Sequence, residues 1–86
     1  MPLICLFYGI AIYMYYDDHN PPHFHAKYNE YEVIIAIQNL SIIAGEIPPR
    51  ALGLIIEWAK LNQKELLKDW QLVKKLQKPN KIAPLK

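Results

Sequence analysis

The sequence predicts an α+β fold: a small antiparallel sheet of four to five strands, built from two hairpins, followed by two helices packed on one face. Three observations carry this. Up to Ile47 the chain is dominated by β-branched, aromatic and aliphatic runs. Two turn-forming pairs, Tyr8-Gly9 and Asn29-Glu30, divide those runs into hairpins. From Pro48 onward the apolar residues recur at helical spacing instead.

The elements follow in order. Leu3 to Phe7 and Ile10 to Tyr16 are two strands around Tyr8-Gly9, and a two-residue hairpin there pairs Phe7 with Ile10 and Cys5 with Ile12. Asp17 to Pro22 is a loop, because consecutive prolines fix φ and donate no ladder hydrogen bonds. His23 to Tyr28 and Tyr31 to Ile37 form the second hairpin, with Asn29 suited to a positive φ. Pairing Tyr28 with Tyr31 sets Ala26 opposite Val33 and Phe24 opposite Ile35 on an apolar face. His23, His25 and Lys27 then share the other face, since side chains alternate along a strand. Lys27 stands opposite Glu32 there, as a cross-strand charge pair.

Ser41 to Ile47 is a fifth, shorter strand. Pro48-Pro49 opens a helix, where a missing N–H costs nothing, and Ala51, Leu52, Ile55, Ile56, Trp58 and Ala59 give it a wide apolar face. Asn62 to Glu65 resembles an N-cap with a reciprocal glutamate, and Leu61 and Leu66 are spaced as its hydrophobic staple. A second helix is expected from Gln63 to about Gln77, with Leu66, Trp70 and Val73 inward; Pro79 ends it. Trp58 and Trp70 read as core anchors. Residues 1–78 are expected to form a single α+β domain, and residues 79–86 an irregular C-terminal tail.

Bulk properties narrow the class. The chain has 86 residues, 52% hydrophobic, with a formal net charge of +2, too small to imply nucleic-acid binding by itself. Seven lysines between Lys64 and Lys86 nevertheless bias the last third toward positive charge, a weak signal for nucleic acid. Cys5 is the sole cysteine, so no intrachain disulfide forms, and its apolar neighbours mark a buried structural thiol. Met1 to Tyr16 is apolar but lacks a basic start and is shorter than the roughly 20 residues of a spanning helix. A cytoplasmic protein with no membrane segment is expected.

All three histidines fall within Asp-Asp-His-Asn-Pro-Pro-His-Phe-His, residues 17 to 25. Three chemistries fit. In the first, His23, His25, His19 and Asp17 hold a divalent transition metal, zinc, nickel, manganese or iron, all of which accept nitrogen and oxygen ligands. The spacing His23-x-His25-x-x-x-x-Glu30 resembles the first cupin metal motif, but 86 residues cannot supply a double-sheet jelly roll and the second motif is absent. In the second, His19, His23 and His25 are catalytic acids and bases, with Lys27 or Arg50 binding an anion and Tyr13, Tyr15 or Tyr28 stacking bases, as RNA cleavage requires. In the third, Asp17, Asp18 and Asn20 hold the loop through side-chain-to-backbone bonds and the histidines stiffen a binding surface. Arg50, the only arginine, suits a phosphate or carboxylate at the helix start, or a plain salt bridge to Glu46 or Glu57. The sheet face carrying Tyr13, Tyr15, Ile34 and the histidines is expected to be an amphipathic outer surface that invites a partner or a homodimer.

Phe7-Tyr8-Gly9, then Tyr15-Tyr16-Asp17-Asp18-His19-Asn20-Pro21-Pro22-His23-Phe24-His25-Ala26, resembles the signature of a small family of uncharacterised bacterial proteins, a domain of unknown function. The resemblance continues through Gly45-Glu46, Pro48-Pro49-Arg50-Ala51-Leu52, Glu57-Trp58 and Trp70. At Asn29-Glu30 the chain departs from the glycine-rich turn of those relatives. Members of that family look like parts of two-gene cassettes of toxin–antitoxin type. The resemblance therefore implies a component of such a module, acting through a small protein encoded by a neighbouring gene; the rival expectation is a ribonuclease-like or metal-dependent hydrolase.

Overall fold

The computed structural model describes residues 2–16 and 18–86. Five strands, β1 (Leu3–Phe7), β2 (Ile10–Tyr13), β3 (His23–Tyr28), β4 (Tyr31–Ala36) and β5 (Ile42–Glu46), precede two helices, α1 (Pro49–Leu61) and α2 (Gln63–Lys74). The strands form one antiparallel sheet in sequential order, β1 to β5. The α+β fold expected from the sequence is the fold observed.

Local chemistry explains the turns. Tyr8 and Gly9 both adopt left-handed φ, 50° and 78°, which lets the β1–β2 connection turn tightly. Asn29 does the same in the β3–β4 turn, with φ 53°. Phe7 pairs with Ile10 and Cys5 with Ile12, but a register shift between Leu3 and Cys5 marks a bulge. That bulge turns two successive side chains, Ile4 and Cys5, inward. Tyr28, Ala26 and Phe24 pair with Tyr31, Val33 and Ile35 as the alternation required.

The core lies between one sheet face and the helices. Ala51, Ile55, Trp58 and Ala59 of α1 are buried, and Trp58 packs against Phe7 at 5.4 Å and Phe24 at 6.1 Å between ring centroids. Leu66, Trp70 and Val73 bring α2 into the same cluster. Burial pushes the Cys5 thiol above its ordinary pKa, as befits a structural cysteine.

Several boundaries differ from the sequence reading. β2 ends at Tyr13 rather than Tyr16, because the chain leaves the sheet there for the proline loop. Asn62 holds the N-cap position of α2, its carbonyl accepting from the Leu66 N–H at 2.9 Å, but its side chain does not cap: the amide donates back to the Trp58 carbonyl at 2.8 Å and the backbone N–H to Ala59, so the residue also closes α1. The expected staple does not form either, since Leu66 is buried while Leu61 is 71% exposed. α2 stops at Lys74, not Gln77. Leu76 takes a left-handed φ of 59°, while Gln77 and Leu76 donate to the carbonyls of Leu72 and Val73, the pattern of a Schellman stop.

Residues 77–86 carry no helix or strand, yet they lie along the domain. Asn80 N–H donates to Asp69 Oδ1 at 2.9 Å, Ile82 N–H to the Ile4 carbonyl at 3.0 Å, and the Trp58 indole N–H to the Ala83 carbonyl at 2.8 Å. Among the described residues, no helix is long and apolar enough to cross a membrane.

Two measurements test this account. At Gly45, φ is +81° and an added Cβ would lie 2.2 Å from the Glu32 carbonyl oxygen. Gly45→Ala is therefore expected to lower unfolding free energy by about 2 kcal/mol or more, read by urea denaturation. Asp69 is buried, and its Oδ2 has no partner among the described residues. Burial pushes its carboxyl pKa up, against the opposing pull of the Asn80 N–H and Lys68. A carboxyl that holds its proton more tightly when folded favours the fold as pH falls through its folded value, and costs stability above it. Asp69→Asn is thus expected to raise stability at pH 7 by about 1 kcal/mol, the gain fading toward acid pH where the wild-type carboxyl is protonated.

Candidate functional site

The histidines of β3 lie on the sheet face opposite Trp58. His23 pairs with Ala36, His25 with Ile34 and Lys27 with Glu32, so all three project to one side. That side is not the open surface the sequence suggested. Tyr13, His23 and His25 are 4%, 8% and 7% exposed, because the chain's own loop and α2 fold over them.

One carboxylate organises the cluster. Asp18 Oδ2 lies 3.1 Å from His23 Nε2 and 3.1 Å from His25 Nε2. The other ring nitrogens are also engaged: His23 Nδ1 meets the Pro21 carbonyl at 2.7 Å, and His25 Nδ1 meets Glu32 Oε2 at 3.2 Å. A carbonyl or carboxylate only accepts, so each Nδ1 carries a proton. In a neutral imidazole the Nε2 lone pair then points at a carboxylate oxygen, which is repulsive. A proton lying between a ring and the carboxyl group removes that repulsion, and so does a metal cation shared by all three.

Geometry accommodates the cation. One ligand atom from each of Asp18, His23 and His25 lies within 4.8 Å of the others. Two ligands about 2.1 Å from one ion at the tetrahedral angle stand about 3.4 Å apart, close to the separations seen. The acceptors behind the two imidazoles are what a metal-ligating histidine ordinarily has.

Aromatic rings wall the site. Tyr13 stacks on His25 at 5.8 Å and 9°, and Tyr15 meets the same ring edge-on at 4.4 Å. Lys27 Nζ sits 5.2 Å from the Tyr13 ring centroid. Trp70 of α2 packs against His23 at 5.0 Å. Burial pushes the Tyr13 and Tyr15 hydroxyls above their ordinary pKa, and the Glu32 charge adds to both.

The residues singled out in the sequence divide between this cluster and other places. His23, His25 and Asp18 form it, Tyr13 and Tyr15 flank it, and His19 and Asn20 are exposed on the adjoining loop. Asp17 lies outside the described residues. Lys27 and Glu32 stand opposite one another, but their charges part: Lys27 covers Tyr13 while Glu32 turns to His25. Arg50 is exposed in the first turn of α1, with no ion pair to Glu46 or Glu57 among the described residues. It lines a groove of about 420 Å³ with Tyr8, Ile10, Tyr28 and Leu54, none of which belongs to the cluster. Glu32, Trp70 and Lys74 were missed as site residues. Glu32 was findable, being diagonal to His25 in the hairpin register. Nothing local in the sequence places Trp70 or Lys74 there.

Fold and cluster together define a small α+β domain with a buried two-histidine, one-carboxylate centre. The model of the family described as Domain of unknown function (DUF4160) matches residues 9–71, and the chain belongs to that family. No curated protein and no solved structure matches it.

The Tyr13 hydroxyl is buried and makes no hydrogen bond of good geometry among the described residues, although Tyr15 and Glu32 lie near enough to act on it. Tyr13→Phe is therefore expected to leave stability unchanged or raise it by up to about 1 kcal/mol. A loss larger than this in thermal unfolding would show that the hydroxyl is bonded after all.

Proposed function

We propose that this chain is a metal-binding domain that takes one divalent first-row ion on Asp18, His23 and His25. What supports the reading is the convergence of two Nε2 atoms on a single carboxylate oxygen, with each Nδ1 beside an oxygen acceptor. Two imidazoles and one carboxylate suit zinc, nickel, manganese or iron. Three protein ligands leave room for water or a further ligand. Acid–base cleavage of RNA is less well served, because both imidazoles are buried and tied to the same carboxylate while His19 stands apart.

A second reading is a component of a bacterial, cytoplasmic two-gene pair of toxin–antitoxin type, acting through a protein partner. The observation in its favour is β5. This edge strand is exposed along its whole length, with Ile42 48% and Ile43 46% exposed, whereas the β1 edge is bonded by the chain's own tail. An open apolar edge is a common docking place for a partner strand. Co-expression with the product of an adjacent gene tests it, and failure to form a complex would end that reading.

The metal reading is tested by elemental analysis and calorimetric titration of untagged protein. One ion per chain is expected, with a stability gain of about 2.7 kcal/mol at a free-ion concentration one hundred times Kd. Glu32→Gln, which weakens the acceptor behind His25, is expected to lower affinity by roughly 10- to 100-fold. His23→Ala with His25→Ala should abolish binding; stoichiometric uptake by that double variant would refute the site.

A further inference from the structure

Asp18 is the one member of the cluster that no strand holds. Its place depends on what grips the loop between β2 and β3, and α2 contributes to that grip from the far end of the sequence. Lys74 Nζ donates to the Asp18 backbone carbonyl at 2.8 Å. The same ammonium lies 5.6 Å from the centroid of Trp70, whose ring packs on His23. Residues 70 and 74 are one helical turn apart and so share a face. That face touches one metal-ligating histidine directly, and the third ligand through its backbone.

We propose that Lys74 is a positioning residue for the metal centre: it holds Asp18 within reach of His23 and His25, so that ion binding depends on how α2 is docked. The inference rests on the metal-binding reading above and adds its regulation. α2 is in turn tied to the C-terminal tail through Asp69 and Asn80. Whatever displaces that helix or its tail acts on the ion as well, and the ion acts back on the helix to the same degree.

Two physical effects of Lys74 have opposite signs. Its positive charge repels a cation nearby, so if charge alone mattered, removing it would tighten ion binding. Its hydrogen bond orders the loop, so if positioning dominates, removing it weakens binding. The bond goes to a backbone carbonyl. Asp18→Asn therefore spares the bond and loses the charged ligand, while Lys74→Met spares the ligand and loses the bond. Because both changes act through one ligand, their effects should not add.

The experiment titrates the full chain with Zn²⁺ and Co²⁺, following heat release and the fluorescence of Trp70 in a Trp58→Phe background checked for folding. Lys74→Met is expected to weaken binding by about tenfold, in the range of outer-shell partners. Lys74→Arg, which keeps a cationic donor, should restore most of the affinity. In an Asp18→Asn background Lys74→Met should change little. Lys74 is exposed, so the variants are expected to fold, and thermal unfolding without ion checks this. Equal or tighter binding by Lys74→Met overturns the proposal. So does a loss that simply adds to that of Asp18→Asn, or a Lys74→Arg variant as weak as Lys74→Met. A wild-type chain that takes no ion removes the metal-binding reading itself, and that result precedes any variant.

Discussion

Trp58 is the contact on which the rest of this fold depends. Its ring is 1% exposed and lies against Phe7 of β1 and Phe24 of β3, so one side chain joins both hairpins to α1. Its indole N–H, which must find a partner when buried, reaches the Ala83 carbonyl and fastens the tail. A domain of this length buries a modest share of its surface, and contacts that serve several elements at once are how it remains ordered. The polar tip and the apolar body of one residue thus organise opposite ends of the chain.

With the inner face committed to that core, β3 has only its outer face for polar chemistry. Phe24 and Ala26 point inward to the helix side, and His23 and His25 are forced outward together. The proline loop then returns over them. Its Pro21 carbonyl fixes the tautomer of His23 and its Asp18 carboxylate meets both rings. Glu32 from β4 completes the set by holding His25. The outcome is a cluster in which every ring nitrogen faces an oxygen acceptor. Asp18, His23 and His25 thereby lie close enough together to hold one metal ion.

Much of this was legible in the chain. The hairpin register over Tyr28–Tyr31 and the co-facial histidines follow from a period of two, which admits no intermediate arrangement. The helical stripe after Pro48 was readable for the same kind of reason. Boundaries were less so. Asn62 starts α2 as its spacing to Glu65 suggested, but the side-chain capping bond that this pattern forms in isolation is missing. The Trp58 carbonyl, one turn earlier, was the competing acceptor that took its amide. The Lys27–Glu32 pair was read correctly in register and wrongly in contact, because a histidine nitrogen and an aromatic face offered each charge a closer partner.

What the sequence by itself determined is the alternation of faces: two histidines on one side of a strand, an apolar sheet surface on the other, and helices to cover it. These are local consequences of backbone geometry and side-chain period. Only the tertiary structure decided which acid joins the histidines, that Glu32 backs one of them, and that Trp70 and Lys74 close the site from α2. Lys74 and Asp18 are 56 residues apart. No periodic pattern reports on such a contact, because it depends on how a loop and a helix, each free to pack in several ways, settle against the same strand.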